Sequence, residues 1–310
     1  MEELYCAEVP ACSEGPIALQ DPVLLHDSRV LTNLLQLQPF TMPAQNYFKH
    51  IQSDIQPYMR KVVTRWMLDV CEEQACEDQV FAVAINFLDR FLCACVVQRT
   101  QLQLLGAVCL LLASKLRQCR PLSIELLAYY TDYSVGVQEI KSWELLLVSK
   151  LGWDLSPVTA GDFVDHLLNR VPVLAREPIV RRHATTFVAL AATEPEFVQV
   201  EPSAVAVASI VAAVRGLNVA EWAAILSSLA SAVNLDAHAL QPIVEQIEMV
   251  VEKETAILPE SMHVQQQAQQ AQQQQQQQHP TTPTNKQHPT SPMEFFDGNE
   301  TPTDLTDIHF

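Results

Sequence analysis

Glycine is scarce in this chain, with 7 residues in 310 against 19 prolines. So few glycines exclude an architecture of many tight turns, where positive φ angles call for glycine. The prolines suit helices with punctuated ends. Positive charge is also short: 19 Lys and Arg face 36 Asp and Glu, for a net charge of −17. Phosphate neutralisation needs clustered Lys and Arg, so direct nucleic-acid binding is not expected. No run of about 20 apolar residues is present to span a bilayer. The most apolar stretch, Leu102 to Leu116, is too short and carries Gln103. The opening residues, MEELYCAEVP, lack the basic region and apolar core of a signal peptide, so none is expected. Catalytic signatures are missing too: there is no GxGxxG, P-loop, GxSxG, HExxH or paired-carboxylate pattern, and an enzyme is not expected.

The 8 cysteines do not form CxxC pairs, and no His stands at ligand spacing from them. We therefore expect free thiols, with Cys109 as a small core residue, and neither a metal site nor a cofactor. These exclusions leave a soluble protein that works through protein partners.

What is present is helix. Hydrophobic residues make up 48% of the chain, enough for real cores, and the length allows roughly two domains. Residues 1–44 look irregular and flexible, although Leu31, Leu34, Leu35 and Leu37 suit a short docking helix. Residues 45–156 read as a first helical block. Its helices cover about 57–73, then Phe81 to Phe91, then a third opened by a capping box at Thr100–Gln103. That third helix, LLGAVCLLLASK, is apolar all round, which predicts a helix enclosed by others. Ser123 is the expected N-cap of a fourth helix, and Ile140, Trp143, Leu147, Val148 and Leu151 line a fifth. Residues 157–256 repeat this outline. Thr159 and Asp162 cap the first helix, and PSAVAVASIVAAVRG is the enclosed third. Two similar domains fit better than a solenoid, whose period is shorter. From 257 to 310 the chain turns to Gln, Pro, Thr and Ser, too poor in apolar surface to order itself, so disorder is expected.

Residues 59–73, MRKVVTRWMLDVCEE, are the most informative. Met59, Val62, Val63 and Trp66 form one helical stripe, and Tyr58, Val62, Trp66 and Val70 an overlapping one, with Arg60, Lys61 and Arg65 between them. Two readings stand: an amphipathic core helix, or a helix that packs inward and also presents apolar groups outward.

This segment resembles the first helix of the cyclin box. Further segments resemble the D-type cyclins in order and spacing: INFLDRFL (85–92), LQLLGAVCLLLASKL (102–116), YYTD (129–132), WELLLVSKLGWDL (143–155), HATTFVALAAT (183–193) and TPTD (301–304). The resemblance implies an all-α fold of two tandem five-helix cyclin boxes with flexible N- and C-terminal segments. It implies a non-catalytic, activating subunit of a cyclin-dependent kinase of the four/six type, driving G1/S progression through phosphorylation of retinoblastoma-type pocket proteins. Lys115 and Glu144 match residues that bind backbone groups of the kinase, although alone they read as solvated charges. Met59, Val62, Val63, Trp66, Leu102 and Gln103, edged by Asp69, match a patch that docks short peptides, and the resemblance also implies kinase inhibitors of the Cip/Kip type as partners. Arg60 and Asp89 match a structural ion pair between the first two helices. Leu4, Cys6 and Glu8 form an LxCxE motif, whose alternate side chains face one groove. Thr301, before Pro302, matches a phosphorylation site that hands the chain to a ubiquitin ligase. Nuclear and cytoplasmic residence is expected. The same fold also permits a cyclin-fold transcription factor or nucleic-acid adaptor, which needs a basic face that the acidic composition opposes.

The chain departs from the family after Lys115. Leu116-Arg117-Gln118-Cys119-Arg120 replaces a stretch usually rich in Lys, Glu and Thr, so kinase affinity or choice is expected to differ. The glutamine tract at 265–278 has no family counterpart that assigns it a role.

Overall fold

The computed structural model describes residues 21–218 and 221–276. Every regular element among them is helical. Three helices come first: α1 (Pro22–His26), α2 (Ser28–Thr41) and α3 (Tyr47–His50). The first bundle holds α4 (Pro57–Glu73), α5 (Asp78–Ala94), α6 (Leu102–Arg117), α7 (Ile124–Tyr130) and α8 (Val137–Lys150). The second holds α9 (Ala160–Leu168), α10 (Pro178–Thr193), α11 (Pro202–Leu217), α12 (Trp222–Ala232) and α13 (Ala237–Gln276). Two tandem five-helix boxes result, as the sequence predicts.

Helix starts absorb much of the proline. Pro57, Pro178 and Pro202 each sit in the first turn, where the missing N–H has no partner to lose. Ser123 caps α7, its Oγ accepting from the Leu126 N–H at 3.1 Å. Asp162 accepts from the Thr159 N–H at 2.7 Å and so closes the box at the head of α9. The box predicted at Thr100–Gln103 is displaced. Gln98 and Gln101 form it instead, around a 3₁₀ turn that leads into α6, because the chain tightens before the apolar run begins.

Each bundle is built around its third helix. Every residue from Leu104 to Ser114 of α6 is buried, and so is every residue from Ser203 to Val214 of α11. At Gly106 α4 lies so close to α6 that an added Cβ would meet the Met67 sulfur and a Val63 methyl at 3.2 Å. Cys109 is buried in this core, as expected, and burial pushes its thiol pKa up.

Two expected boundaries move. Helix α2 is longer than the predicted 31–37 segment and is tied down, so this part of the 1–44 segment is a docked arm. Leu31 is buried. The Gln38 side chain accepts from the Ser203 N–H at 3.1 Å and donates to Glu201 at 3.3 Å. Thr41 accepts from Asn86 of the first box and from the Val158 N–H between the boxes, at 2.7 and 3.1 Å. Polar partners far along the chain, invisible to local periodicity, order this arm. At the other end α13 runs to Gln276, past the expected limit at 256. Glutamine propagates helix well once packing has nucleated it. Leu4, Cys6, Glu8 and Thr301 lie outside the described residues.

Candidate functional site

Lys115 and Glu144 stand 29 residues apart in sequence and meet in space. Helix α6 is enclosed as far as Ser114, whose Oγ accepts from the Leu122 N–H at 3.1 Å and fixes the turn that follows. The next residue, Lys115, therefore emerges at the rim of the bundle. On helix α8 Glu144 shares the stripe of the buried Ile140, Leu147 and Val148, about one turn from each, and is half-buried. The Lys115 Nζ lies 2.6 Å from a Glu144 carboxylate oxygen, with side-chain exposures of 41% and 22%. Leu116, Leu145 and Leu146 are exposed around the pair. An ion pair this open contributes about 0–1 kcal/mol to stability. Its value is positional: two helices anchored in the core hold opposite charges at a fixed place on the surface, with exposed leucines next to them in sequence.

Helix α4 presents a second surface. Tyr58 and Val62 are 64% and 67% exposed. Met59, Trp66 and Gln103 are half-buried beside them, and the Trp66 indole N–H donates to the Tyr130 carbonyl at 3.3 Å. Val63 and Leu102 are buried, so they belong to the core beneath this surface and not to the surface itself. A one-residue step along a helix turns the side chain by about 100°, which is why adjacent Val62 and Val63 part company. Asp69 is exposed at the edge, 3.5 Å from Arg65. Partial burial raises the carboxyl pKa values of both Asp69 and Glu72, with the nearby Glu254 adding to it.

Arg60 and Asp89 pair as expected, through two 2.8 Å hydrogen bonds from Nε and Nη2, and both are buried. The arrangement reaches further than a link between α4 and α5. The same guanidinium donates to the carbonyls of Thr193 and Ala192 at the end of α10, at 3.0 and 3.1 Å. The Tyr47 hydroxyl donates to Asp89 at 2.7 Å. Burial opposes the Arg60 charge, but the Asp89 carboxylate outweighs it and holds the guanidinium pKa above its ordinary value. Burial, with the Asp89 charge behind it, pushes the Tyr47 phenol well up. Thr64 donates to the Thr193 carbonyl at 3.1 Å, Lys61 pairs with Glu194, and Arg65 pairs with Glu254 of α13 at 2.7 Å. All three basic residues between the apolar stripes of α4 thus face the second box or its neighbours. A cavity of about 110 Å³ lies along this seam, lined by Met42, Arg60, Asp89, Val158 and Val205. That is well below the roughly 300–1,000 Å³ of a small-molecule site, so it belongs to the packing of the two boxes.

Comparison with known proteins settles the family. Residues 29–156 match the N-terminal cyclin domain and residues 158–284 the C-terminal cyclin domain. The chain is 42% identical over 292 residues to the G1/S-specific cyclin-D2 of Gallus gallus, covering 92% of each. It is 41% identical over 286 residues to the G1/S-specific cyclin-D3 of Homo sapiens, covering 91% of this chain and 92% of that one. The chain belongs to the D-type cyclin family. Among solved structures it is similar to a viral cyclin from herpesvirus saimiri, with a TM-score of 0.63 and 25% identity over 72% of this chain and 97% of that chain. Sequence reasoning missed Tyr47, Thr64, Lys61 and Arg65 as members of the D-type cyclin seam. The one available signal was three basic residues crowded onto a helix otherwise rich in apolar ones.

Proposed function

We propose that this D-type cyclin is the activating subunit of a cyclin-dependent kinase of the four/six type at the G1/S transition, with retinoblastoma-type pocket proteins as the substrates it delivers. The observation that carries the reading is the Lys115–Glu144 pair, held at 2.6 Å on two core-anchored helices amid exposed leucines. A kinase holds ATP productively when its αC glutamate pairs with its β3 lysine. A rigid cyclin surface that binds this arrangement better than the displaced one shifts the kinase population toward it. The cyclin needs no catalytic group of its own for this. Lys115 and Glu144 would grip backbone groups beside αC, and Leu116, Leu145 and Leu146 would supply buried apolar area.

The other surfaces take supporting roles in this reading. The Met59, Val62, Trp66 and Gln103 face, with Asp69 at its edge, would dock short peptides, including those of Cip/Kip inhibitors. Leu4, Cys6 and Glu8 would capture the pocket protein. Phosphorylated Thr301 would recruit a ubiquitin ligase, and the protein would work in nucleus and cytoplasm. The test is co-purification of the full chain with candidate cyclin-dependent kinases, followed by phosphorylation of a pocket-protein fragment. We expect a stable, active complex with at least one kinase; no complex with any of them overturns the proposal.

A further inference from the structure

Helix α4 ends in a left-handed cap. The Cys76 N–H donates to the Cys71 carbonyl at 2.9 Å and the Ala75 N–H to the Glu72 carbonyl at 3.1 Å. Ala75 between them takes a left-handed φ of 46°. This pair of bonds is the Schellman motif, with Cys71 three residues from the helix end and Cys76 two beyond the cap. The motif brings those two side chains together, normally as a hydrophobic contact. Here both are cysteines, and both are free thiols. The bond from Cys76 N–H to Cys71 carbonyl also draws the two Cα atoms close, as the roughly 4.4–6.8 Å window of a disulfide requires. Cys71 is buried and Cys76 half-exposed, so one sulfur is open to a small reagent and the other waits behind it.

We propose that Cys71 and Cys76 form an oxidisable dithiol in which Cys76 reacts with a hydroperoxide and Cys71 closes the disulfide. The Cys76 sulfur attacks one peroxide oxygen, the O–O bond breaks, and water or an alcohol leaves, giving a sulfenic acid. The Cys71 sulfur then attacks the Cys76 sulfur, the S–O bond breaks, and the hydroxyl departs as water with the Cys71 proton. Two thiols are oxidised and one hydroperoxide is reduced. The order of events follows the chemistry of the pair. Cys76 is the half-exposed thiol and meets the oxidant first, with its pKa lowered by the neighbouring Cys71; Cys71 is buried, and its thiol is held well up by Cys76 and by burial. The site touches the segment after α6: the Gln118 side-chain Oε1 accepts from the Glu77 N–H at 3.4 Å and its Nε2 donates to the Arg120 backbone carbonyl at 2.6 Å.

The test uses the full chain treated with stoichiometric hydrogen peroxide, alkylated and digested without reduction. Trypsin releases Trp66–Arg90, which contains Cys71 and Cys76 as its only cysteines. We expect this peptide to lose two hydrogens and take up no alkylating agent, and cleavage after Glu73 to give two pieces joined by a reducible bond. In Cys71→Ser the Cys76 sulfenic acid should accumulate and be trapped by dimedone. In Cys76→Ser the Cys71 thiol should stay reduced. A link from Cys76 to another cysteine, oxidation of Cys71 in the Cys76→Ser chain, or an unoxidised wild-type peptide each overturns the proposal. The wild-type digest decides the matter even if a variant folds poorly.

Discussion

Arg60→Ala should cost this protein a large share of its stability, and the structure says how. The side chain is 1% exposed and gives two hydrogen bonds to Asp89 and one each to the Ala192 and Thr193 carbonyls. Truncation leaves the Asp89 carboxylate buried with Tyr47 as its remaining hydrogen-bond donor, and takes a donor from each of two carbonyls at the end of α10, of which Thr193 keeps the Thr64 hydroxyl. Breaking a buried pair by removing one partner costs about 3–5 kcal/mol, against a total of about 5–15 kcal/mol for a typical domain. Because the bonds cross from the first box to the second, the loss should also loosen their coupling. The assay is urea unfolding of the full chain, followed by far-UV circular dichroism and by tryptophan fluorescence. Trp222 reports the second box, while Trp66, Trp143 and Trp153 report the first. We expect a loss of about 3–5 kcal/mol, with the two probes no longer coincident. Adding Asp89→Asn to the variant should recover part of the loss by removing the unpaired charge. A loss under about 1 kcal/mol, the scale of an exposed pair, with coincident transitions would refute the idea that this cluster clamps the boxes.

Lys115→Glu should abolish kinase co-purification while far-UV helicity survives and stability moves by no more than about 1 kcal/mol; normal kinase binding would remove Lys115 from the interface. Asp69 and Glu72 have raised carboxyl pKa values, so the folded chain binds more protons than the unfolded one in the mildly acidic range. Their contribution to stability therefore grows as pH falls from neutrality toward the unfolded-state values, and Asp69→Asn with Glu72→Gln should flatten that part of a melting-temperature profile. Thr301→Ala should lengthen the half-life of the protein in a cycloheximide chase, and an unchanged half-life counts against a degradation signal. Joint replacement of Leu4, Cys6 and Glu8 by Ala should weaken pocket-protein capture in a pull-down and leave kinase binding intact.

Much of the fold is written in local pattern. Two runs that are apolar on all sides, Leu104–Ser114 and Ser203–Val214, become the central helices, because only a helix enclosed by others can bury every face. Ser123 and Thr159 mark helix starts because a cap depends on neighbours within three residues. What local pattern does not carry is any partner far along the chain. Gln38 finds Ser203, Lys61 finds Glu194 and Arg65 finds Glu254, and no periodicity relates them. The nearness of Lys115 to Glu144 entered through family resemblance and not through spacing. Val63 illustrates a different limit: on a helix with two overlapping apolar stripes, hydropathy does not tell the stripe facing the core from the one left open.

The excess of apolar faces on α4 resolves once its residues are set around the helix axis. At about 100° per residue, Val63, Met67, Val70 and Cys71 share one arc, and all are buried. Thr64, Lys61 and Arg65 share the next, with Arg60 at the edge common to both, and all four bond to α10, to the residue after it, or to α13. Tyr58, Val62, Trp66 and Asp69 share the third, which meets no other described helix across most of its width, since Tyr58, Val62 and Asp69 are exposed. An ordinary surface helix has one face to bury and one to wet. This helix buries one, joins the two boxes with the second, and leaves a partly apolar third to solvent. The three arcs separate the consequences of substitution. A charge at Val62 leaves the core and the seam untouched and so reads the open face alone, whereas any change at Arg60 alters the relation between the boxes before it alters a binding surface. Loss of peptide docking after substitution at Arg60 therefore says nothing about the open face, and the same loss after substitution at Val62 does.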